Sequence, residues 1–214
     1  MVNIMIFLQL FFLPRVFVIL SISTWFLLNS MDVRADSDGF ESLPNPVEIK
    51  SFSLKDQDAQ LFDLSRLQDH WSMIFIGFTT CPDVCPVTLS NLEAVRAEMG
   101  LRLSPERIPR ILFFAVDPER DIPVLKSYLG YFHPEYIGIT GETDQIDKLI
   151  DNLGAFYRLD KKTPNDLNYN VLHTAFVSVV NPAGEIVAKL TPPFHPHKTA
   201  EYLTQLIRGV SFDD

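Results

Sequence analysis

The 214-residue chain carries a formal net charge of -9 and is 47% hydrophobic, with 17 phenylalanines. An acidic surface repels a polyanion, which excludes nucleic-acid binding, and so much apolar material excludes an intrinsically disordered chain. The length suits one ordinary globular domain once a targeting segment is set aside.

Two apolar runs, Ile4 to Leu13 and Val16 to Leu28, open the chain and are separated only by Pro14 and Arg15. With Arg15 as positive flank and Val33-Arg34-Ala35 offering modest side chains to a peptidase, residues 1–35 read as a signal peptide or membrane anchor. The second run falls short of the roughly 20 residues that cross a bilayer, so an anchor would draw on both. Either use predicts an exported domain, periplasmic or membrane-anchored on the non-cytosolic side. Residues 36–46, polar with Gly39, Pro44 and Pro46, read as a linker, and residues 47–214 as the folded domain.

Glu48 to Leu54 alternates and, after Asp56-Gln57-Asp58, Leu61 to Leu64 is expected to pair with it as an N-terminal hairpin. Trp71 to Phe78 is a continuous apolar run of the kind that forms a strand buried on both faces. Val87 to Met99 repeats Leu89, Leu92, Val95 and Met99 at helical spacing, with Gly100 as a stop. Ile111 to Val116 is a second buried strand, ending in the turn Asp117-Pro118-Glu119-Arg120-Asp121, and a helix is predicted from Pro123 to Phe132. A strand at Ile137–Thr140, a helix from Glu142 to Leu153 and a short strand at Phe156–Leu159 follow. Beyond a loop from Lys161 to Asn170, Thr174–Val180 and Glu185–Leu190 flank Asn181-Pro182-Ala183-Gly184, a strong turn signal, and Thr199–Ile207 closes the chain as a helix. Alternating strands and helices between two hairpins predict an α/β fold, with a mixed central sheet flanked by helices. In such sheets reactive groups collect where strands give way to helices, and Cys81 stands at such a place.

Cys81 and Cys85 are the chain's two cysteines, four residues apart in Thr80-Cys81-Pro82-Asp83-Val84-Cys85-Pro86. Two thiols at this spacing converge on one metal ion or close a small disulfide ring. As a structural crosslink that ring would contribute little, because closing so short a loop removes only about 2 kcal/mol of unfolded-state entropy. With Pro86 at the first position of the helix, Cys85 would lie at its N-terminal end, where the dipole favours thiolate. That helps metal binding and disulfide exchange alike, so a third ligand is the discriminating feature.

Of the five histidines, His70 and His133 read as flanking residues of a strand and a helix, and His195 and His197 as loop residues in a proline-rich segment. His173 follows the long loop at the mouth of a strand, in Tyr169-Asn170-Val171-Leu172-His173-Thr174. Two soft thiolates and one imidazole suit monovalent copper in a site of low coordination. Zinc with an open position fits less well, since no general base stands beside these residues.

The segments Gly77 to Pro86, Val116 to Asp121 and Tyr169 to Thr174 resemble, in order and separation, those of the Sco/SenC family of copper metallochaperones, and the resemblance extends over nearly all of Val47 to Gly209. It implies a thioredoxin-like fold, with Cys81, Cys85 and His173 as ligands for copper, as Cu(I) or Cu(II). It further implies delivery of copper to the binuclear copper centre of cytochrome c oxidase. The implied partners are the copper-accepting subunit of that oxidase and a further copper chaperone or thiol reductase, with membrane association through residues 1–35. The resemblance implies a protein that binds and passes on a metal rather than a turnover enzyme. The alternative is a thiol-disulfide oxidoreductase, with Cys81 attacking, Cys85 resolving and His173 dispensable. A peroxidase-like reading is disfavoured, because the proline-flanked loop shows no polar pocket to activate peroxide. Where the family often has an acidic residue before the histidine this chain has Leu172, so the surroundings of the imidazole are expected to differ. Asp117 and Asp121 are candidates for contacts around the site or for capping the turn.

Overall fold

A computed structural model describes residues 39–163 and 166–209. The expected signal peptide or anchor at 1–35 lies outside the described residues. Ten strands and five helices follow one another: β1 (Phe40–Glu48), β2 (Ser53–Asp56), β3 (Leu61–Asp63), β4 (Ser72–Gly77), α1 (Val84–Gly100), β5 (Arg110–Ala115), α2 (Pro118–Asp121), α3 (Leu125–Phe132), β6 (Ile137–Thr140), α4 (Thr143–Leu153), β7 (Tyr157–Leu159), β8 (Val171–His173), β9 (Val177–Val180), β10 (Glu185–Leu190) and α5 (Pro196–Arg208).

Eight strands form one mixed sheet in the order β1-β10-β9-β4-β5-β6-β2-β3. β4, β5 and β6 run parallel, as their helical crossovers require, and the flanking strands pair antiparallel. Every residue of β4 is buried, which is why Ser-Met-Ile-Phe-Ile-Gly carries no polar alternation. The two predicted hairpins are present as β2–β3 and β9–β10, the first with its leading strand at Ser53–Asp56 rather than at Glu48–Leu54. In the second, Asn181 Oδ1 accepts from the backbone N–H groups of Ala183 and Glu185 at 3.0 Å each, and Gly184 takes φ of +83°. α1 packs on α5 and α3, and α4 lies against β2. Among the described residues no helix is long and apolar enough to cross a membrane.

Four expectations are corrected. The segment expected to be a linker up to Pro46 is largely strand: β1 pairs with β10, Phe40 opposite Leu190 and Glu48 opposite Glu185, with a register shift between Ser42 and Val47. Pro44 and Pro46 sit in that shift, and an edge strand tolerates them because it needs no donor on its open side. α1 begins at Val84, so Pro86 is its third residue rather than its first; it is accommodated because that N–H would have no intrahelical acceptor in any case. The turn after β5 is a short helix, α2, and α3 starts only at Leu125. His195 and His197 belong to the start of α5, as the residue before it and a residue of its first turn, with Pro196 in the favoured first position.

A candidate thiol and imidazole metal centre

β4 ends at Gly77, and the chain then crosses the end of the sheet before entering α1. Gly77 is required by close approach: a Cβ there would stand 2.6 Å from the Phe113 ring and 2.9 Å from Cys85 Sγ. The sulfur of Cys85 is thus seated against the backbone of β4, fully buried, while Cys81 is partly exposed at the rim. Both are free thiols. Asp83 precedes the helix but makes no side-chain cap. The cap is sulfur: the backbone N–H of Cys85 donates to Cys81 Sγ at 3.5 Å, and the Cys81 N–H donates to the Phe78 carbonyl at 3.2 Å.

This arrangement divides the two thiols. The Cys85 S–H donated to Cys81, with the backbone N–H groups of Asp83 and Cys85 and the nearby His173 acting in the same direction, outweighs burial and holds Cys81 down to about 5. Cys85 is pushed upward by giving that hydrogen bond and by burial. Near neutral pH the pair therefore holds one proton between two sulfurs, with the thiolate on the exposed side.

His173 ends β8, which pairs only with β7 in a separate two-stranded ribbon, Tyr157 opposite His173. Thr174 continues the ribbon by donating its N–H to the Phe156 carbonyl at 2.9 Å. The imidazole is half-buried and meets the Phe78 ring edge to face, 5.8 Å between centroids at 85°. Its Nδ1 lies 2.9 Å from the Thr174 carbonyl oxygen, which can only accept, so Nδ1 carries a proton and, in the neutral ring, Nε2 is the nitrogen left to bind a metal. Cys81 and Cys85 are thus in contact and His173 is near them. Among the described residues, however, no three side chains of Cys, His, Asp or Glu stand close enough to hold a metal ion as they are placed. Leu172, the residue before His173, is exposed.

Asp117 and Asp121 are both fully buried beneath this site. Asp121 Oδ1 accepts from the backbone N–H and the hydroxyl of Thr79, each at 2.7 Å, and its Oδ2 accepts from the Asp117 N–H at 3.1 Å. Burial pushes Asp121 up to about 6 against the pull of those hydrogen bonds. Asp117 accepts from Tyr169 Oη at 2.6 Å and is ion-paired with Arg120. Asp121 closes the turn by accepting from the Asp117 N–H, the capping role expected of it, and also braces the loop leading to Cys81; Asp117 braces the segment leading to His173. Sequence reasoning assigned no role to Gly77, Phe78, Arg120 or Tyr169. The available signal was charge: Arg120 stands in a run that directly follows a buried strand, where an ionic side chain needs a partner.

The family model described as SCO1/SenC matches residues 41–208. An SCO2-like protein of Rickettsia felis is 33% identical over 153 residues, 71% of this chain and 73% of that protein. Among solved structures, Bradyrhizobium japonicum ScoI with copper bound superposes with a TM-score of 0.64 at 30% identity, covering 74% of this chain and 98% of the other. Yeast Sco1 with copper bound gives 0.71 at 26% identity, covering 78% and 92%. The thioredoxin-like architecture expected from the sequence is the one these structures share with the chain.

Proposed function

The chain belongs to the SCO1/SenC family, and from that premise we propose that it is a copper metallochaperone that delivers copper to the binuclear copper centre of cytochrome c oxidase during its assembly. The observation that carries this reading is a thiolate–thiol pair at the start of a helix, with a half-buried imidazole beside it whose Nδ1 is already committed. Cys81 and Cys85 would supply two soft sulfurs and His173 its Nε2, a donor set that suits Cu(I) in low coordination. Closing the site requires the Cys85 proton to leave and the ribbon carrying His173 to draw in over Cys81. The buried position of Cys85 and the half-buried imidazole keep water from the metal, while the partly exposed Cys81 leaves one face open to an acceptor. Relatives that carry copper favour metal transfer over thiol-disulfide exchange as the function. Disulfide formation would still end metal binding, because it consumes both sulfur ligands. Residues 1–35 would export the domain to the periplasm or hold it at the membrane, facing the copper-accepting subunit of the oxidase.

The test is an anaerobic Cu(I) titration of the reduced full-length chain against a competing chelator. One copper per chain is expected, with affinity lowered by at least about 100-fold in His173→Ala, beyond the usual effect of losing an outer neighbour of a metal. Unchanged affinity in that variant would remove His173 from the site.

A further inference from the structure

The ribbon β7–β8 is not part of the main sheet, so the sheet does not by itself set where His173 stands relative to the cysteines. We propose that Arg120 is a positioning residue for His173: its guanidinium, lying over the Tyr169 ring and near that of Phe78, fixes the imidazole relative to the cysteine pair. The inference rests on the reading of His173 as a copper ligand.

Three sets of contacts converge on this one side chain, of which only 13% is exposed. Its Nε pairs with the buried carboxylate of Asp117, which also accepts from Tyr169 Oη at 2.6 Å. Its Nη1 donates to the carbonyls of Tyr169 at 3.0 Å and Leu167 at 3.4 Å, which ties down the backbone entering β8 four residues before His173. Its guanidinium carbon lies 3.7 Å from the centroid of the Tyr169 ring and 5.9 Å from that of Phe78. Phe78 is the shared joint: its carbonyl accepts from the Cys81 N–H at 3.2 Å, and its ring meets the His173 imidazole. Arg120 therefore acts on His173 twice, through the backbone of residues 167–169 and through the ring against which the imidazole leans.

The geometry calls for arginine. A planar guanidinium lays a face on the Tyr169 ring while its edge serves a carboxylate and two carbonyls. A lysine ammonium supplies a point charge with no such face, so Arg120→Lys keeps the charge beside Asp117 and loses the placement. The sulfurs themselves are held otherwise, by the helix start and by the seat against Gly77, and the loop before them by Asp121 and Thr79. A role confined to the imidazole predicts that Arg120 and His173 are energetically coupled and that Arg120 and the dithiol are not.

The experiment is a double-mutant cycle on the full-length chain: wild type, Arg120→Lys, His173→Ala and the double variant. Cu(I) affinity is measured by chelator competition, and the dithiol/disulfide potential of the metal-free protein by equilibration with a redox buffer. Arg120→Lys is expected to weaken Cu(I) binding about tenfold, to add no further loss in the His173→Ala background, and to leave the dithiol potential at the wild-type value. In the metal-free protein, hydrogen exchange of the peptide spanning Tyr169–Thr174 should quicken while that of Thr79–Val87 holds. Should Arg120→Lys fail to fold, Tyr169→Phe, which removes one hydroxyl, carries the same cycle. Wild-type affinity in Arg120→Lys, or a loss that persists undiminished without His173, would overturn the positioning role and leave the copper reading standing. Wild-type affinity in His173→Ala alone would overturn the ligand reading and this inference with it.

Discussion

Loading Cu(I) at neutral pH should expel one proton from the cysteine pair and not two. Two unperturbed thiols titrate near 8.5, so at pH 7 both would be almost wholly protonated and would together release about two protons on binding a metal. Here the Cys85 S–H and the backbone N–H groups at the start of α1 hold Cys81 down to about 5, which at pH 7 leaves it about 99% thiolate. Cys85, pushed upward by burial and by donating to Cys81, supplies the single proton. Affinity should accordingly rise about tenfold per pH unit near pH 7, roughly 1.4 kcal/mol, where an ordinary dithiol, still below its titration range, would give about a hundredfold. Anaerobic calorimetric titrations in buffers of different ionisation enthalpy give the proton count directly. A count near two would mean that Cys81 is an ordinary thiol, and a count near zero that Cys85 is already ionised; either would refute the division of the pair. As an internal control, Cys85→Ala removes the donated S–H, so the alkylation of Cys81 should shift its pH midpoint upward.

Gly77→Ala would place a methyl group 2.6 Å from the Phe113 ring and 2.9 Å from Cys85 Sγ, an overpacking expected to cost about 1–3 kcal/mol of unfolding free energy and to weaken Cu(I) binding as Cys85 is displaced. Equal denaturant midpoints for variant and wild type would contradict the close approach. Asp121 supplies a pH signature in the metal-free protein. Its carboxyl is pushed up to about 6, above the ordinary unfolded value near 3.9, so the stability tied to it is full below about pH 4 and is lost as pH rises through 6, by up to about 2–3 kcal/mol. Asp121→Asn should flatten that part of the profile, read from urea midpoints at pH 4.5 and 7.5; a profile with unchanged slope would assign the titration elsewhere.

Much of the fold is legible in the order of residues, because the elements that read well rest on short-range periodicity. β6 and β10 occupy the residues that their apolar patterns predict, and the turn between β9 and β10 follows from Asn181 and Gly184 alone. The elements that read badly are those whose partners are remote in sequence. β1 carries two prolines and no clear alternation, and is a strand only because β10 lies beside it. β8 is three residues long and is defined by its pairing with β7, which ends as far back as Leu159. The start of α1 was misplaced because its cap is a cysteine sulfur and not one of the usual oxygen-bearing side chains.

The site divides along the same line. By itself the sequence determined that two thiols four residues apart stand between a buried strand and a helix, since so short a stretch of chain keeps two side chains within reach of each other; it also singled out His173 as the histidine to watch. Only the tertiary structure decided which sulfur is the thiolate, because the sign of each shift depends on who donates the shared hydrogen and who is buried. The roles of Asp117, Arg120, Asp121 and Tyr169 likewise needed the fold: their contacts join residues some 40 to 50 positions apart, which no local period encodes. Long-range partners of this kind exist only once the sheet has brought the ends of β4 and β5 together with the ribbon that carries His173. Packing, not spacing, places an imidazole beside a dithiol.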